Sequence, residues 1–117
     1  AGRAVVFDRA IPRFVEAELA GAVDEMLADM SLSRADIGRF CCHPGGVKVI
    51  DAIESAMELP AGTLDLERDV LNDCGNMSAP TVLFVLDRLI ARGLPQRTML
   101  TALGPGFTCA GMMLERP

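Results

Sequence analysis

The sequence has neither tryptophan nor tyrosine and only 5 phenylalanines. A surface that stacks bases or sugars on aromatic rings is therefore poorly supplied. Basic residues are also outnumbered: 11 Lys and Arg stand against 16 Asp and Glu, a formal charge of -5 with the acids spread along the chain. Nothing resembles the basic stripe that neutralises a phosphate backbone, which argues against nucleic acid as a partner. No apolar run reaches the roughly 18 residues that cross a bilayer, and the cationic segment, apolar core and cleavage pattern of a secretory signal are missing. These absences predict a soluble, cytoplasmic protein without a membrane span. Dinucleotide and P-loop fingerprints are missing too, which leaves redox and phosphoryl-transfer chemistry without a motif.

What is present is a core. Half of the 117 residues are hydrophobic, enough for one packed domain. The 7 methionines serve as adaptable core filler. Four cysteines, Cys41, Cys42, Cys74 and Cys109, sit among apolar or helical neighbours and read as free buried thiols. Adjacent Cys41 and Cys42 would point to opposite faces of a strand, so they do not form a metal-binding pair, and no metal site is expected.

Along the chain, Arg3 to Phe7 reads as a buried strand that starts abruptly, as if the chain were cut from something longer. Pro12 opens an amphipathic helix to about residue 30, with Val15, Leu19, Val23, Met26 or Leu27 and Met30 at steps of three and four. Its other face carries Glu16, Glu18, Asp24, Glu25 and Asp29, a solvated surface rather than a catalytic acid pair. Ser33 and Asp36 are turn or capping residues, and Arg39 to Cys42 is a second buried strand. A helix from Val47 follows, with Val49, Ile50, Ile53 and Met57 inward. A shorter helical piece covers Leu64 to Asn72, with Asp65, Glu67, Arg68 and Asp69 expected outward. Ser78 and Pro80 precede the run Thr81 to Ile90, which is apolar on nearly all sides and so predicts a buried helix stopped at Gly93. Arg97 to Leu103 and Phe107 to Leu114 predict an antiparallel hairpin turned at Gly104-Pro105-Gly106. The sum is an α/β domain with a mixed sheet in the order β-α-β-α-α-α-β-β.

Two stretches carry chemistry. Cys41-Cys42-His43-Pro44-Gly45-Gly46 ends a strand in the only histidine and then turns through glycines that allow close approach to the backbone. Gly75-Asn76-Met77-Ser78 offers a carboxamide just before a helix. Taken singly, His43 serves structure as readily as catalysis, and Asn76 serves equally well as a turn residue. Both, however, are placed where a strand or loop feeds a helix, the region where open α/β sheets hold ligands. A neutral imidazole N–H and a carboxamide N–H2 that converge would suit a carbonyl oxygen gaining negative charge. That chemistry points to acyl transfer or carbon-carbon bond formation through an enolate.

His43-Pro44-Gly45-Gly46, Gly75-Asn76-Met77-Ser78 and Gly104-Pro105-Gly106, in this order and spacing, closely resemble the C-terminal domain of the type III polyketide synthases. This is the chalcone and stilbene synthase superfamily, with the thiolase fold, and the resemblance runs from about Val5 to Leu114. It implies that residues 1–117 are one C-terminal domain of a longer parent, and that the parent condenses acyl-CoA with malonyl-CoA by decarboxylative Claisen chemistry. His43 and Asn76 would be the catalytic donors. Gly45, Gly46, Met77, Ser78, Pro105 and Gly106 would shape the substrate cavity. It also implies CoA thioesters as substrates with no permanently bound cofactor, an N-terminal domain that supplies the nucleophilic cysteine and the CoA phosphate grip, and a homodimer. Cys41, Cys42, Cys74 and Cys109 match no catalytic position, so the chain alone is expected to be inactive. Pro44-Gly45-Gly46 stands where fatty-acid-initiating condensing enzymes usually have Gln-Ala-Asn, which disfavours that alternative. Lys48-Val49 and Thr81 to Leu86 resemble bacterial enzymes that make alkylpyrones or alkylresorcinols. The other alternative is a non-catalytic, self-associating structural domain.

Overall fold

The computed structural model describes residues 12–75, 79–104 and 108–116. The strand predicted over Arg3 to Phe7 lies outside the described residues. The first helix, α1, covers residues 12–29, π-helical over Val15–Leu19 and α-helical over Ala20–Asp29. Val15, Leu19, Val23 and Leu27, four residues apart, are all buried, as the helical repeat requires of a core-facing stripe. Met30 departs from the expected stripe and is 42% exposed. The helix has already ended there, with φ -99° and ψ 6°. A 3-10 turn at Arg34–Asp36 follows, where the Asp36 carboxylate accepts the Ser33 N–H at 2.8 Å.

Strand β1 is Arg39–Cys42, and helices α2 (Val47–Ala56), α3 (Asp65–Cys74) and α4 (Ala79–Arg92) precede the strands β2 (Arg97–Gly104) and β3 (Thr108–Glu115). The described strands form one mixed sheet in the order β1-β2-β3. β1 runs parallel to β2, with Cys42 opposite Thr101, and β2 runs antiparallel to β3, from Arg97 opposite Glu115 to Gly104 opposite Thr108. The predicted hairpin is therefore present, while its turn residues Pro105 and Gly106 lie outside the described residues.

Alternation along β1 divides the core in two. Phe40 and Cys42 pack with Val23, Leu27, Ile50 and Ile53 of α1 and α2. Cys41 faces the other way, against Leu66, Val70, Val85 and Leu89 of α3 and α4. Helices thus cover both faces of the sheet, the α/β arrangement expected from the sequence.

Three expectations need correction. Helix α4 buries Val85 and Leu89 but leaves Leu83 59%, Phe84 43% and Ile90 56% exposed, so only one of its apolar faces enters this core. Cys74 is exposed rather than buried, because it closes the last turn of α3 at the surface. Glu67, expected outward, is fully buried. It falls on the same helical stripe as the buried Val70, three residues on, and reaches the backbone of β1 at Cys42.

Candidate functional site

The site begins where β1 ends. The backbone N–H of His43 continues the parallel ladder, donating to Thr101 O at 3.2 Å. Gly45 N–H then folds back onto His43 O at 3.0 Å, a three-residue turn that reverses the chain beside the imidazole. Gly46 caps α2 with φ 154° and ψ 161°, a backbone region open to glycine but strained for other residues. A Cβ added at Gly45 would lie 3.7 Å from the imidazole Cδ2 and 3.9 Å from Nε2, ordinary contact, so a small side chain there would cover this side of the ring that glycine leaves open.

The His43 side chain is half-buried, and its Nδ1 is buried without a hydrogen-bond partner among the described residues. Desolvation disfavours the imidazolium, and the pKa lies below the ordinary 6.5. At neutral pH this is a neutral ring able to donate one N–H and accept at the other nitrogen.

Asn76, Met77 and Ser78 lie outside the described residues, as do Pro105 and Gly106. Of the described residues that flank them, Val82 and Gly104 can be placed relative to β1. Gly75 closes α3 with φ 71° and a 2.9 Å bond from its N–H to Leu71 O. The first turn of α4 reaches β1, where the Cys41 Sγ lies 3.9 Å from Val82 O. Because β1 and β2 are parallel, Gly104 at the end of β2 and His43 just past β1 lie at the same end of the sheet. Beside this end, Val82, Leu83, Leu100, Ala102 and Met112 line an apolar groove of about 270 Å³.

Neither cysteine next to His43 is prepared for nucleophilic attack. The Cys41 thiol is pushed up to about 12, first by burial and then by the nearby Glu67 charge. Burial and Glu67 also raise Cys42, against a hydrogen bond with Thr101. A thiol so disfavoured as thiolate is inert near neutral pH.

Sequence reasoning missed the residues behind the histidine. Glu67 Oε1 accepts Arg39 Nη2 at 2.7 Å, and its Oε2 accepts both Arg39 Nη1 and the Cys42 backbone N–H at 2.9 Å. Arg39 in turn donates to Phe40 O. Phe40 O and Cys42 N–H lie on the edge of β1 opposite β2, since alternate residues present their backbone groups to the same side. The ion pair thus supplies both a donor and an acceptor to that edge. A second buried acid was also missed. Glu54 accepts Arg68 Nη1 at 2.7 Å and the Leu64 N–H at 2.8 Å, tying α2 to the start of α3. The available signal was spacing: Glu54 lies four residues after Ile50 and three before Met57, on an apolar stripe.

Comparison with known proteins agrees with this geometry. The family described as chalcone and stilbene synthases, C-terminal domain, matches residues 1–116. A 1,3,6,8-tetrahydroxynaphthalene synthase of Streptomyces peucetius subsp. caesius is 42% identical over 118 residues, covering 98% of this chain and 31% of the relative. The crystal structure of PKS-I from the brown alga Ectocarpus siliculosus superposes with a TM-score of 0.84 at 30% identity, over 91% of this chain and 30% of that one. A crystal structure of CsyB complexed with CoA-SH superposes with a TM-score of 0.80 at 26% identity, over 92% of this chain and 32% of that one. The chain spans about a third of the length of these relatives. Its thiolase-like α/β fold and the match along nearly its whole length place it in the chalcone and stilbene synthase family of type III polyketide synthases, as the C-terminal domain.

Proposed function

We propose that this chain supplies the decarboxylation half of a polyketide synthase active site, with His43 and Asn76 as paired donors to the thioester oxygen of malonyl-CoA. The carrying observation is His43 itself: a neutral imidazole at the end of the parallel strands, beside Gly45, with one buried nitrogen lacking a partner among the described residues. As the bond from Cα to the carboxylate breaks, carbon dioxide leaves and the electron pair moves toward the thioester, giving an enolate whose charge rests on its oxygen. Two fixed N–H donors at that oxygen stabilise the transition state more than the ground state. The enolate carbon then attacks an acyl thioester held on a cysteine of the N-terminal domain, forming the carbon-carbon bond and releasing the thiolate.

The same reading assigns Gly45, Gly46, Met77, Ser78, Pro105 and Gly106 to the cavity wall, with Gly46 holding the turn that a side chain would strain. The nucleophile and the phosphate grip come from the N-terminal domain, the parent is a homodimer, and the chain alone is inactive. The raised thiols of Cys41 and Cys42 support the last point.

For the product, the segments Lys48-Val49 and Thr81 to Leu86 favour alkylpyrone or alkylresorcinol synthesis from fatty acyl starters. The 42% identity to a tetrahydroxynaphthalene synthase favours a hydroxylated naphthalene instead. Incubating the full-length enzyme with malonyl-CoA, with and without a long-chain acyl-CoA, and analysing the products by mass separates the two. The mechanism is tested by His43→Ala and Asn76→Ala in the same enzyme. Each is expected to lower malonyl-CoA decarboxylation by about 100-fold to 1,000-fold, the usual effect of losing one oxyanion donor. Near-normal decarboxylation by His43→Ala sinks the reading.

A further inference from the structure

We infer that Glu67, held by Arg39, is a positioning residue for His43: its carboxylate fixes the last residue of β1 and so sets where the imidazole stands. The inference rests on the function proposed for His43.

The geometry at β1 carries it. One edge of the strand is satisfied by β2, up to the 3.2 Å bond from His43 N–H to Thr101 O. On the other edge, the guanidinium of Arg39 donates to Phe40 O and the carboxylate of Glu67 accepts Cys42 N–H at 2.9 Å. The Arg39–Glu67 pair thus acts as a fragment of a neighbouring strand built from two side chains. Its last bond falls on the residue immediately before the histidine. Cys42 is therefore gripped by Glu67 on one edge, while His43 is gripped by β2 on the other. The bidentate ion pair, at 2.7 and 2.9 Å, fixes the carboxylate plane as well as its position. Glu67 is fully buried, and the Arg39 side chain keeps 10% of its surface exposed.

Burial of such a pair is a weak way to gain stability, because an apolar pair of similar volume often does as well or better. A role in fixing the strand end explains the pair better than stability alone. A displacement of about 1 Å in a catalytic group can cost about 100-fold in rate.

Stability and positioning separate in a crossed pair of variants of the full-length enzyme. Arg39→Met/Glu67→Leu replaces the pair with apolar side chains and removes the acceptor for Cys42 N–H. It is expected to melt below the parent, since the buried Cys42 N–H loses its acceptor, while its decarboxylation kcat, read at a temperature where it is folded, falls at least tenfold, with KM for malonyl-CoA changed less than threefold. Glu67→Gln keeps an oxygen for Cys42 N–H but leaves Arg39 only the Asp65 carboxylate, 3.6 Å away, as counter-charge. It is expected to melt lower while keeping kcat within about threefold at a temperature where it is folded. Adding the double replacement to His43→Ala is expected to cause no further loss, since Glu67 acts through His43. Unchanged kcat in the double variant overturns the inference, as does a Glu67→Gln kcat that falls in step with stability. If either protein fails to fold, the other still decides by its own kcat. His43→Ala with near-normal decarboxylation instead refutes the functional reading, so the two failures are told apart.

Discussion

In the proposed mechanism His43 combines two properties that oppose each other in water: a ring neutral enough to donate without carrying charge, and a position beside a thioester oxygen that gains negative charge. Burial reconciles them by lowering its pKa below 6.5. The pH consequence has a definite sign. Between the folded pKa and 6.5 the unfolded chain binds a proton that the folded chain refuses, so the His43 contribution disfavours folding as pH drops below 6.5. In the same window the folded ring stays neutral, so its donor function persists. With the nucleophilic cysteine of the N-terminal domain replaced by alanine, so that no thiolate pairs with the ring, malonyl-CoA decarboxylation is expected to hold constant from pH 8 down through 6.5 and to fall only at lower pH. A rate profile bending at or above 6.5 would show that His43 is not desolvated in the working enzyme.

At the scale of elements, buried acids join helices to their neighbours. Glu54 of α2 is held down to about 2, chiefly by its hydrogen bonds with Arg68, against the opposing effect of burial. Asp51 shares the same guanidinium at 2.7 Å. The stabilisation is fully present above the ordinary 4.5 and is lost as pH falls from there through about 2. Glu54→Gln is expected to cost about 2 kcal/mol at pH 7, less than the ~3–5 of a fully buried pair, because solvent reaches the Arg68 side chain. Urea unfolding of the full-length enzyme at pH 7 and pH 3 checks this: the gap between variant and parent should shrink at the lower pH. The spacing of Val15, Leu19, Val23 and Leu27 made α1 legible, and the split environments of Cys41 and Cys42 followed from strand alternation. The charge of Glu67 points to solvent, although its spacing from Val70 puts it on the buried stripe. What periodicity could not contain was its partner, since Arg39 lies 28 residues away and meets it only in the folded sheet. Helix α4 shows the converse: Leu83, Phe84 and Ile90 were legible as apolar, but hydrophobicity does not say which apolar face the local core covers. Of the proposed donor pair the structure positions only His43, at the end of β1, because Asn76 lies outside the described residues.

Across the described residues, six arginines are paired with acids. Arg34 faces Asp24, Arg39 faces Glu67, Arg68 faces Asp51 and Glu54, Arg88 faces Asp73, Arg92 faces Asp65, and Arg97 faces Glu115. With a net charge of -5, the long-range field of the chain repels the phosphates of a CoA thioester. The end of the sheet beside His43 is flanked instead by an apolar groove and by Leu83, Phe84 and Met112 at the surface. Such a surface suits the acyl and malonyl end of the substrate or a packed protein face far better than a polyphosphate. Calorimetric titration with malonyl-CoA should therefore give saturable binding to the full-length enzyme and none to the 117-residue chain at the same concentrations. Circular dichroism on the same sample would establish that the chain is folded when it is titrated. Affinities within threefold of one another would mean that this domain grips the nucleotide itself, and that the division of labour between the two domains is wrong.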